Sequence, residues 1–372
     1  MGQRIYLDYN ATAKIRPEVI EALTTAMGSV GNASSVHSAG RNARKSVEKA
    51  RREVAALVGA TPDQVVFTSG GTEADNQVMR PCDPSRTFVS AVEHPAVLDA
   101  CPDAQRIPVD SDGVINLEAL ETALAATDAP QMVALMLANN ETGVLQPVAE
   151  AVEIAHRFGA LLHCDAVQAV GKIPVDFGAL GADTMAMTAH KFGGPQGIGA
   201  LIVRTSESAD CLMRGGGQEH GLRGGTESVA HIIALGRAAE ISVERMDGYA
   251  ELAVLRDWME EELIQTTPGT RVFGGGVPRL PNTSKLMMPG VSSETQVISF
   301  DLAGIEVSAG SACSAGRVEP PYVLTEMGVS VEEALCAVRV SLGWGTTEGD
   351  IQSFVAEWAR IVERAGGVQG AE

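Results

Sequence analysis

Residues 65–76 read VVFTSGGTEADN, in which an apolar segment runs directly into a pair of glycines and then into a helical pattern. Val65–Thr68 predicts a short buried strand, and the glycines allow a tight turn into the helix. Similar apolar segments recur, several with helical stretches between them, at Thr87–Val92, Met132–Leu137, Leu161–Cys164, Thr184–Met187 and Gly199–Val203. Strands that alternate with helices predict an α/β fold with a mostly parallel sheet.

The pattern of the chain changes after about residue 245. Before this point a strand and helices are predicted at Arg4–Leu7, Arg16–Met27, Ser38–Val58 and Val148–Phe158. After it come a helix, two strand-like segments and a last helix, at Tyr249–Gln265, Thr283–Met288, Gln296–Phe300 and Asp350–Ala365. The length of 372 residues also favours two domains. We therefore expect a large domain at 14–245 and a smaller α+β domain formed by 1–13 and 246–372.

The composition is acidic, since 47 Asp and Glu residues against 28 Lys and Arg residues give a net charge of −19. A protein that binds nucleic acid usually carries a basic face, and none is visible in this sequence. The charge is typical of a soluble acidic enzyme, and an acidic surface that meets a basic protein partner is the alternative.

The sequence also argues against a membrane span, a secretory signal and a metal site. No segment approaches the roughly 20 apolar residues that a membrane helix needs, and MGQRIYLDYN lacks the basic start and apolar run of a signal peptide. The six cysteines are scattered and form no CxxC pair, so a zinc site is not expected. We expect free thiols and a reducing cytoplasm.

Several polar clusters follow predicted strands, where α/β sheets bind their ligands. Ser69–Glu73 joins a strand to a helix, so its free backbone N–H groups and the helix dipole could hold an anion such as phosphate, which glycines allow to approach closely. The cluster lacks the Gly-Lys-Ser/Thr of a nucleotide-binding loop. An ordinary turn with a threonine cap is the alternative interpretation.

Three further residues follow strands. Asp165 could hold a cationic ring nitrogen, or it could cap a helix. Lys191 lies between a strand and a glycine-rich turn, which suits a Schiff base with an aldehyde cofactor once its amine loses a proton; a surface lysine is the alternative. His94 could stack on a flat ring and move protons, although a lone histidine is more often structural.

The remaining candidates lie in a turn, a loop and an apolar run. An amide in the cluster Asn139–Gly143 could reach a ring substituent, or the cluster could simply form a turn. Ser308–Gly316 consists of small residues around Cys313, which predicts a mobile loop with a nucleophilic thiol; a buried turn is the alternative interpretation. Arg339 needs an anion, either a substrate carboxylate or a structural salt-bridge partner. Together these groups predict a pyridoxal phosphate site with an added nucleophile.

At this point the sequence resembles the cysteine desulfurases, a family in the class V aminotransferase group of fold-type I pyridoxal phosphate enzymes. The likeness runs over nearly the whole chain. It rests on YLDYNATA (Tyr6–Ala13), GNASSVH (Gly31–His37), FTSGGTEADN (Phe67–Asn76), EHPAVLD (Glu93–Asp99), NNETGVLQP (Asn139–Pro147), HCDAVQAVGKIPVD (His163–Asp176), TAHKFGGPQGIGAL (Thr188–Leu201), GGGQEHGLRGGTES (Gly215–Ser228), SAGSACSAGRVEPPYVL (Ser308–Leu324) and VRVSLG (Val338–Gly343).

The resemblance implies a fold-type I architecture with a seven-stranded, mostly parallel sheet, and a homodimer that binds pyridoxal 5'-phosphate. Lys191 would hold the cofactor, Asp165 its ring nitrogen, and His94 would stack on the ring and assist proton transfer. The remaining cofactor contacts implied are Gln168 and Asn140 at the ring hydroxyl, Thr72, Thr188, His190 and the backbone of Gly71 at the phosphate, and Thr226 at the phosphate of the other subunit.

The implied activity converts L-cysteine to L-alanine. Arg339, helped by Asn32, would bind the substrate carboxylate, and Cys313 would take the sulfur as a persulfide. The sulfur would pass to an acceptor such as an iron–sulfur scaffold or a sulfur-carrier protein. A selenocysteine lyase or another class V aminotransferase is the enzyme alternative, and a non-catalytic scaffold that docks partners is the other.

The chain departs from the family pattern at places without a named catalytic role. Ala13 stands where a threonine is frequent, Trp344 stands where an arginine is frequent, and Phe192-Gly193 follows Lys191 where an aromatic residue often precedes the glycine-proline. The segment around Cys313 resembles the group that includes the housekeeping iron–sulfur enzymes.

Overall fold

The computed structural model describes residues 4–205, 208–309 and 320–369. Within these ranges the strands are β1 (Ile5–Tyr6), β2 (Val65–Thr68), β3 (Thr87–Ser90), β4 (Gln105–Ile107), β5 (Met132–Ala134), β6 (Leu161–Asp165), β7 (Thr184–Thr188), β8 (Gly199–Val203), β9 (Arg271–Phe273), β10 (Thr283–Met287), β11 (Ile305–Glu306) and β12 (Ala337–Ser341).

The main sheet has the strand order β2-β8-β7-β6-β5-β3-β4. The strands from β4 to β7 pair in parallel, whereas β8 is antiparallel to both β7 and β2. Most of these strands are buried along their whole length, as expected where helices cover both faces of a parallel sheet. The predicted seven-stranded, mostly parallel sheet of an α/β fold is therefore confirmed.

The described α-helices are α1 (Pro17–Met27), α2 (Ser38–Leu57), α3 (Gly71–Met79), α4 (Pro95–Leu98), α5 (Leu117–Ala126), α6 (Val148–Arg157), α7 (Phe177–Leu180), α8 (Val229–Glu244), α9 (Met246–Ala250), α10 (Leu252–Thr266), α11 (Ser293–Leu302), α12 (Tyr322–Glu326), α13 (Val331–Leu335) and α14 (Glu348–Gln369). Helix α2 shows why they form where they do. It begins after His37, whose Nδ1 accepts from the N–H of Gly40, and it buries Val47 and Val54, two turns apart. It ends before Gly59, whose φ of +62° suits a helix stop.

A second, smaller sheet forms from the later part of the chain. Strand β10 pairs antiparallel with β9 and β12, and its core includes Phe300, Phe354 and Trp358, the first two stacked at 4.8 Å between ring centroids. Strand β1 pairs in parallel with β11, which places the start of the described chain beside its later part. The division into 14–245 and the remainder stays a prediction.

One predicted strand is wrong. Gln296–Phe300 lies inside helix α11, which Ser292 caps by accepting the N–H of Thr295. The segment is rich in β-branched and aromatic residues, but Gln296 and Phe300, one helical turn apart, are both fully buried. Packing of that helical face therefore overrides the local preference for a strand.

The predicted helix Tyr249–Gln265 is instead divided between α9 and α10. No helix among the described residues has both the length and the apolar character that crossing a membrane requires. The described residues also contain no cluster of His, Cys, Asp and Glu side chains arranged to hold a metal ion.

Candidate active site

A cavity of about 370 Å³ lies where several strands of the main sheet end. Several residues that line the cavity lie at or shortly after the carboxyl ends of β3, β5, β6 and β7. They come together because the carboxyl ends of parallel strands meet at one edge of the sheet. The lining includes most of the residues that the sequence predicts for the site: Gly71, Thr72, His94, Asn140, Asp165, Gln168, Thr188, His190, Lys191 and Arg339.

Lys191 ends a short helical turn that follows β7. Its Nζ donates to the backbone oxygens of Asn10 at 2.6 Å and Ala11 at 2.9 Å. Burial lowers the pKa of Lys191 to about 8; the nearby charge of Arg339 adds to this effect, and that of Asp165 opposes it. The neutral, nucleophilic amine is thus far more populated near neutral pH than in an ordinary lysine.

Asp165 is the last residue of β6, and its Oδ1 accepts the N–H of Val167 at 2.9 Å in the turn that follows. It therefore caps a turn and not a helix. Burial raises the pKa of Asp165, and the nearby His94 and Lys191 oppose that change. No described cation forms an ion pair with this carboxylate. A cationic ring nitrogen beside it would favour the ionised form.

His94 precedes helix α4, and its Nδ1 accepts the N–H of Ala96 at 3.1 Å. In the neutral ring this contact places the hydrogen on Nε2, so the ring presents a donor to its surroundings. Enclosure in the cavity lowers the pKa of His94, and the charge of Asp165 opposes the change.

The first turn of α3 forms another wall of the cavity. The helix begins at Gly71, and Gly70, which precedes it, provides no side-chain cap. The first N–H groups of a helix lack intrahelical partners and attract anions. Gly71 is needed there because a Cβ at this position would lie 2.6 Å from Cγ2 of Val167.

Thr188, the last residue of β7, and His190, two residues later, also line the cavity. Thr188 donates from Oγ1 to the backbone oxygen of Ile198 at 3.2 Å, and Nδ1 of His190 lies 3.3 Å from Oγ1 of Thr12. Burial lowers the pKa of His190 to about 4, and the charge of Lys191 adds to this effect. His190 is therefore a neutral hydrogen-bonding group at neutral pH.

Two amides complete the polar lining. The Oδ1 atom of Asn140 is buried and has no hydrogen-bond partner among the described residues. Gln168 donates from Nε2 to the backbone oxygen of Asn10 at 3.0 Å and accepts from Lys172 at 2.7 Å. A ligand hydroxyl in the cavity could satisfy the unpaired oxygen of Asn140.

Arg339 extends from β12 of the small sheet into the same cavity. Its Nη2 donates to Asp8 at 2.8 Å and its Nη1 to the backbone oxygen of Asn140 at 3.1 Å. The sequence left a structural salt bridge and a substrate carboxylate as alternatives for this arginine. The ion pair is present, and the guanidinium also faces the cavity.

Two of the described residues that the sequence predicts for the site do not line this cavity. Asn32 is exposed, and its Oδ1 accepts the N–H of Ser34 at 2.8 Å. Thr226 lines a separate pocket that also includes Ser69 and Arg223. Cys313 lies outside the described residues.

The described residues on either side of 310–319 contact the site. Ser308 exchanges backbone hydrogen bonds with Arg339 at 3.2 and 2.7 Å, and the backbone oxygen of Ala309 accepts from Lys285 at 3.2 Å. On the other side, the hydroxyl of Tyr322 donates to the backbone oxygen of Glu93, next to His94. Both flanks of the segment that contains Cys313 therefore lie close to the cavity.

Sequence reasoning missed the contribution of Asn10 and Ala11. They provide backbone oxygens to Lys191, from 181 and 180 positions away along the chain respectively. The segment YLDYNATA was recognised as part of the family pattern, but a contact made by backbone atoms leaves no signature in residue type.

It also missed Asp75 and His163. Asp75 lines the cavity, and its Oδ1 lies 3.1 Å from Nε2 of His163, whose Nδ1 lies 2.8 Å from Oγ1 of Thr184. Burial lowers the pKa of His163 to about 3 and raises that of Asp75, to which the carboxylates of Asp165 and Glu93 also contribute. The His163 imidazole is therefore neutral near neutral pH, and burial disfavours the charged form of the Asp75 carboxyl that lines the cavity.

The donor set fits pyridoxal phosphate. Three features share one cavity: the lysine with a lowered pKa (Lys191), the buried carboxylate without a described cationic partner (Asp165) and the free N-terminus of α3. An aldehyde, a pyridinium nitrogen and a phosphate are the groups that these three features respectively suit.

Comparison with known proteins points to one family. The sequence pattern of the aminotransferase class-V family matches residues 5–354. A "Cysteine desulfurase" from Cereibacter sphaeroides is 42% identical over 377 residues, which cover 97% of this chain and 96% of that protein.

Solved structures agree with this result. The X-ray structure of a NifS-like protein from Rickettsia africae has a TM-score of 0.91 and 36% identity, and the match covers 97% of this chain and 100% of that one. A structure described as SspA in complex with cysteine has a TM-score of 0.77 and 27% identity, with 91% of this chain and 98% of that one covered.

Proposed function

The chain belongs to the class-V aminotransferase family and, within it, to the cysteine desulfurases, and on this premise we propose which of its residues remove sulfur from L-cysteine. The observation that supports the assignment of roles most strongly is the shared cavity of Lys191, Asp165 and the first turn of α3. The cysteine bound in the SspA structure supports L-cysteine as the substrate.

The cofactor of the proposed reaction is pyridoxal 5'-phosphate. Lys191 holds its aldehyde, Asp165 its ring nitrogen and the N-terminus of α3 its phosphate, with Thr72, Thr188 and His190 as further phosphate ligands and Asn140 and Gln168 at the ring hydroxyl. When bound, the cofactor supplies an electron sink for the charge that develops on the substrate carbon.

Two side chains handle protons in this proposal. Lys191, with a pKa of about 8, can both give and take a proton at Nζ near neutral pH. His94 carries its hydrogen on Nε2, because Nδ1 accepts the N–H of Ala96. It therefore acts first as a donor toward the ring or the substrate.

Arg339 binds the carboxylate of L-cysteine through its guanidinium. Two of its N–H groups are held by Asp8 and by the backbone of Asn140, which fixes the plane of the group. The Nε–H is buried and has no partner among the described residues, so it is a donor available to a ligand.

Cys313 accepts the sulfur. Its thiolate forms an S–S bond with the sulfur of the substrate as the substrate C–S bond breaks. The carbon that loses sulfur takes up a proton, so that L-cysteine and a thiol give L-alanine and a persulfide. The contacts that Ser308 and Tyr322 make on either side of 310–319 support delivery of this thiol to the cavity.

The proposed assembly is a homodimer in which Thr226 reaches the phosphate site of the partner subunit. The position of Thr226 outside the cavity of its own chain supports this role. The persulfide passes to a second protein, an iron–sulfur scaffold or a sulfur carrier, in a reducing cytoplasm that suits the free thiols of the described cysteines.

The experiment that tests the proposal mixes the cofactor-loaded protein with L-cysteine and a reductant, and measures alanine and sulfide together. We expect the wild-type protein to form equal amounts of both products. Cys313→Ser should form neither, although it should keep the visible cofactor band. Undiminished sulfur release by Cys313→Ser would contradict the role of this thiol. A faster reaction with L-selenocysteine, or no bound cofactor at all, would instead favour a lyase or a non-catalytic scaffold.

A further inference from the structure

The chain contains a buried lysine that the proposed reaction does not use. Lys172 follows β6 by several residues, and only 1% of its surface is exposed. Its Nζ lies 2.7 Å from Oδ1 of Asn10 and 2.7 Å from Oε1 of Gln168. None of the ion pairs among the described residues includes this amine, so two neutral amides are its described partners. A buried ammonium group without an anion is costly and needs a reason.

The surroundings of Lys172 disfavour a charged amine. Burial lowers its pKa well below the ordinary value of a lysine, and the nearby charges of Lys191 and Arg339 add to this effect. The amine donates one N–H group to each of the two amide oxygens. Lys172 therefore acts as a pair of hydrogen-bond donors toward Asn10 and Gln168.

These two hydrogen bonds determine the orientation of both amides. Because Oε1 of Gln168 accepts from Lys172, its Nε2 must face the backbone oxygen of Asn10, 3.0 Å away, and the cavity. Because Oδ1 of Asn10 also accepts from Lys172, its Nδ2 must donate to Asn140 and to Thr283, at 3.2 and 2.9 Å. An amide flip at either residue would move its oxygen away from Lys172 and lose that hydrogen bond.

The same network reaches the amine that we assign to the cofactor. The backbone oxygen of Asn10 accepts from Nε2 of Gln168 and also from Nζ of Lys191, at 2.6 Å. We propose that Lys172 is a positioning residue: it fixes Asn10 and Gln168, and through them it sets the place of the Lys191 amine and turns the amide N–H of Gln168 toward the cavity. This inference rests on the proposed role of Lys191.

The test compares wild-type protein with Lys172→Met, which keeps the length and burial of the side chain and loses both donors. Pyridoxal phosphate is titrated into the apo-protein, and the dissociation constant and the absorbance maximum of the bound cofactor are measured. We expect the dissociation constant to rise about threefold to tenfold, the effect of one or two lost hydrogen bonds, and the absorbance maximum to shift. The pH midpoint of cofactor capture should fall, because Lys191 loses acceptors that favour its charged form.

Two controls separate positioning from packing and from the proposed function. Leu124→Ala in α5 creates a core defect in a helix that does not line the cavity, and it should lower thermal stability without moving the absorbance maximum or the midpoint. Lys191→Ala should abolish the visible band; if it does not, the role of Lys191 fails, whatever Lys172 does.

A second variant that loses only part of the hydrogen bonding of Lys172 serves if Lys172→Met does not fold. Lys172→Gln retains an N–H donor for one of the two oxygens and should show a smaller shift in the same direction. The positioning role would be wrong if a folded Lys172→Met or Lys172→Gln protein showed only lowered stability. Its cofactor affinity, absorbance maximum and pH midpoint would then equal those of the wild-type protein.

Discussion

The guanidinium of Arg339 donates from Nη2 to the carboxylate of Asp8 at 2.8 Å, and so joins the small sheet to the N-terminal segment at the edge of the cavity. Asp8 itself forms an isolated bridge with Ser341, two residues after Arg339 on the same strand. The arginine is therefore held in place from the N-terminal segment before a substrate arrives. This arrangement reduces the ordering that substrate binding must still achieve.

The first prediction is that Arg339→Lys raises the KM for L-cysteine. A lysine keeps the charge but loses the planar fork that matches a carboxylate. Loss of one charge-assisted hydrogen bond, about 1.5–3 kcal/mol, corresponds to a rise in KM of about 10- to 150-fold, with a smaller change in kcat. Steady-state kinetics at saturating cofactor measure both. Asp8→Asn is the matched control, since it weakens the ion pair but leaves the fork, and its KM should change less than that of Arg339→Lys.

The second prediction concerns pH. Lys191 must be neutral to attack an aldehyde, and burial lowers its pKa to about 8. The rate at which the apo-protein captures pyridoxal phosphate should therefore rise about tenfold per pH unit below pH 8 and level off above it. Stopped-flow absorbance across this range measures the rate. For free Nα-acetyl-lysine under the same conditions the rise should continue to about pH 10; the same profile for the protein would show that the amine is not perturbed.

The third prediction is that Gly71→Ala weakens cofactor binding. The added Cβ would lie 2.6 Å from Cγ2 of Val167, so the side chain of Val167 or the start of α3 must shift. Overpacking of this kind corresponds to a rise of about tenfold in the dissociation constant of pyridoxal phosphate, measured by titration of the apo-protein. Gly248→Ala in α9 is the control, because no atom lies within 4 Å of its Cβ position. Equal affinities in the two variants would argue against phosphate binding at this helix end.

The positions that sequence reasoning found best are those that follow strands. Asp165 ends β6, and Lys191 comes just after the end of β7, the next strand along the chain, which pairs with β6 in parallel. The geometry of a parallel sheet brings such residues to one edge, so strand patterns and polar residue types were enough to predict their approach. The structure places both at the same cavity.

Other features could not be derived in this way. Lys172 and Asn10 are 162 positions apart along the chain and are joined by a hydrogen bond. The periodicity of apolar residues in the sequence does not predict such a contact. For Gln296–Phe300 the sequence pattern predicted the wrong element. Its residue types favour a strand, whereas burial of Gln296 and Phe300 on one face stabilises a helix. Local composition determines neither the partners of a buried polar group nor the face on which a short segment packs.

Trp344, a departure from the family pattern, gives the last prediction. Its indole Nε1 donates to the backbone oxygen of Lys14 at 2.9 Å, and the guanidinium carbon of Arg16 lies 5.2 Å from its ring centroid. The tryptophan thus holds the segment that begins with Asn10 and Ala11, the acceptors of Lys191. Trp344→Phe loses the hydrogen bond and keeps a ring, so the free energy of unfolding should fall by about 1 kcal/mol.

Trp344→Ala also loses the contact with Arg16 and should cost about 0.5–1 kcal/mol more. Urea unfolding at one fixed protein concentration measures both values, since a dimer would make stability depend on concentration. Arg16→Met in the Trp344→Ala background provides the control: if the ring and the guanidinium interact, the second substitution costs less there than in wild-type protein. If Arg16→Met lowers the free energy of unfolding equally in the two backgrounds, Trp344 stabilises the segment through Lys14 alone. If Trp344→Ala leaves unfolding unchanged, Trp344 does not stabilise the segment at all.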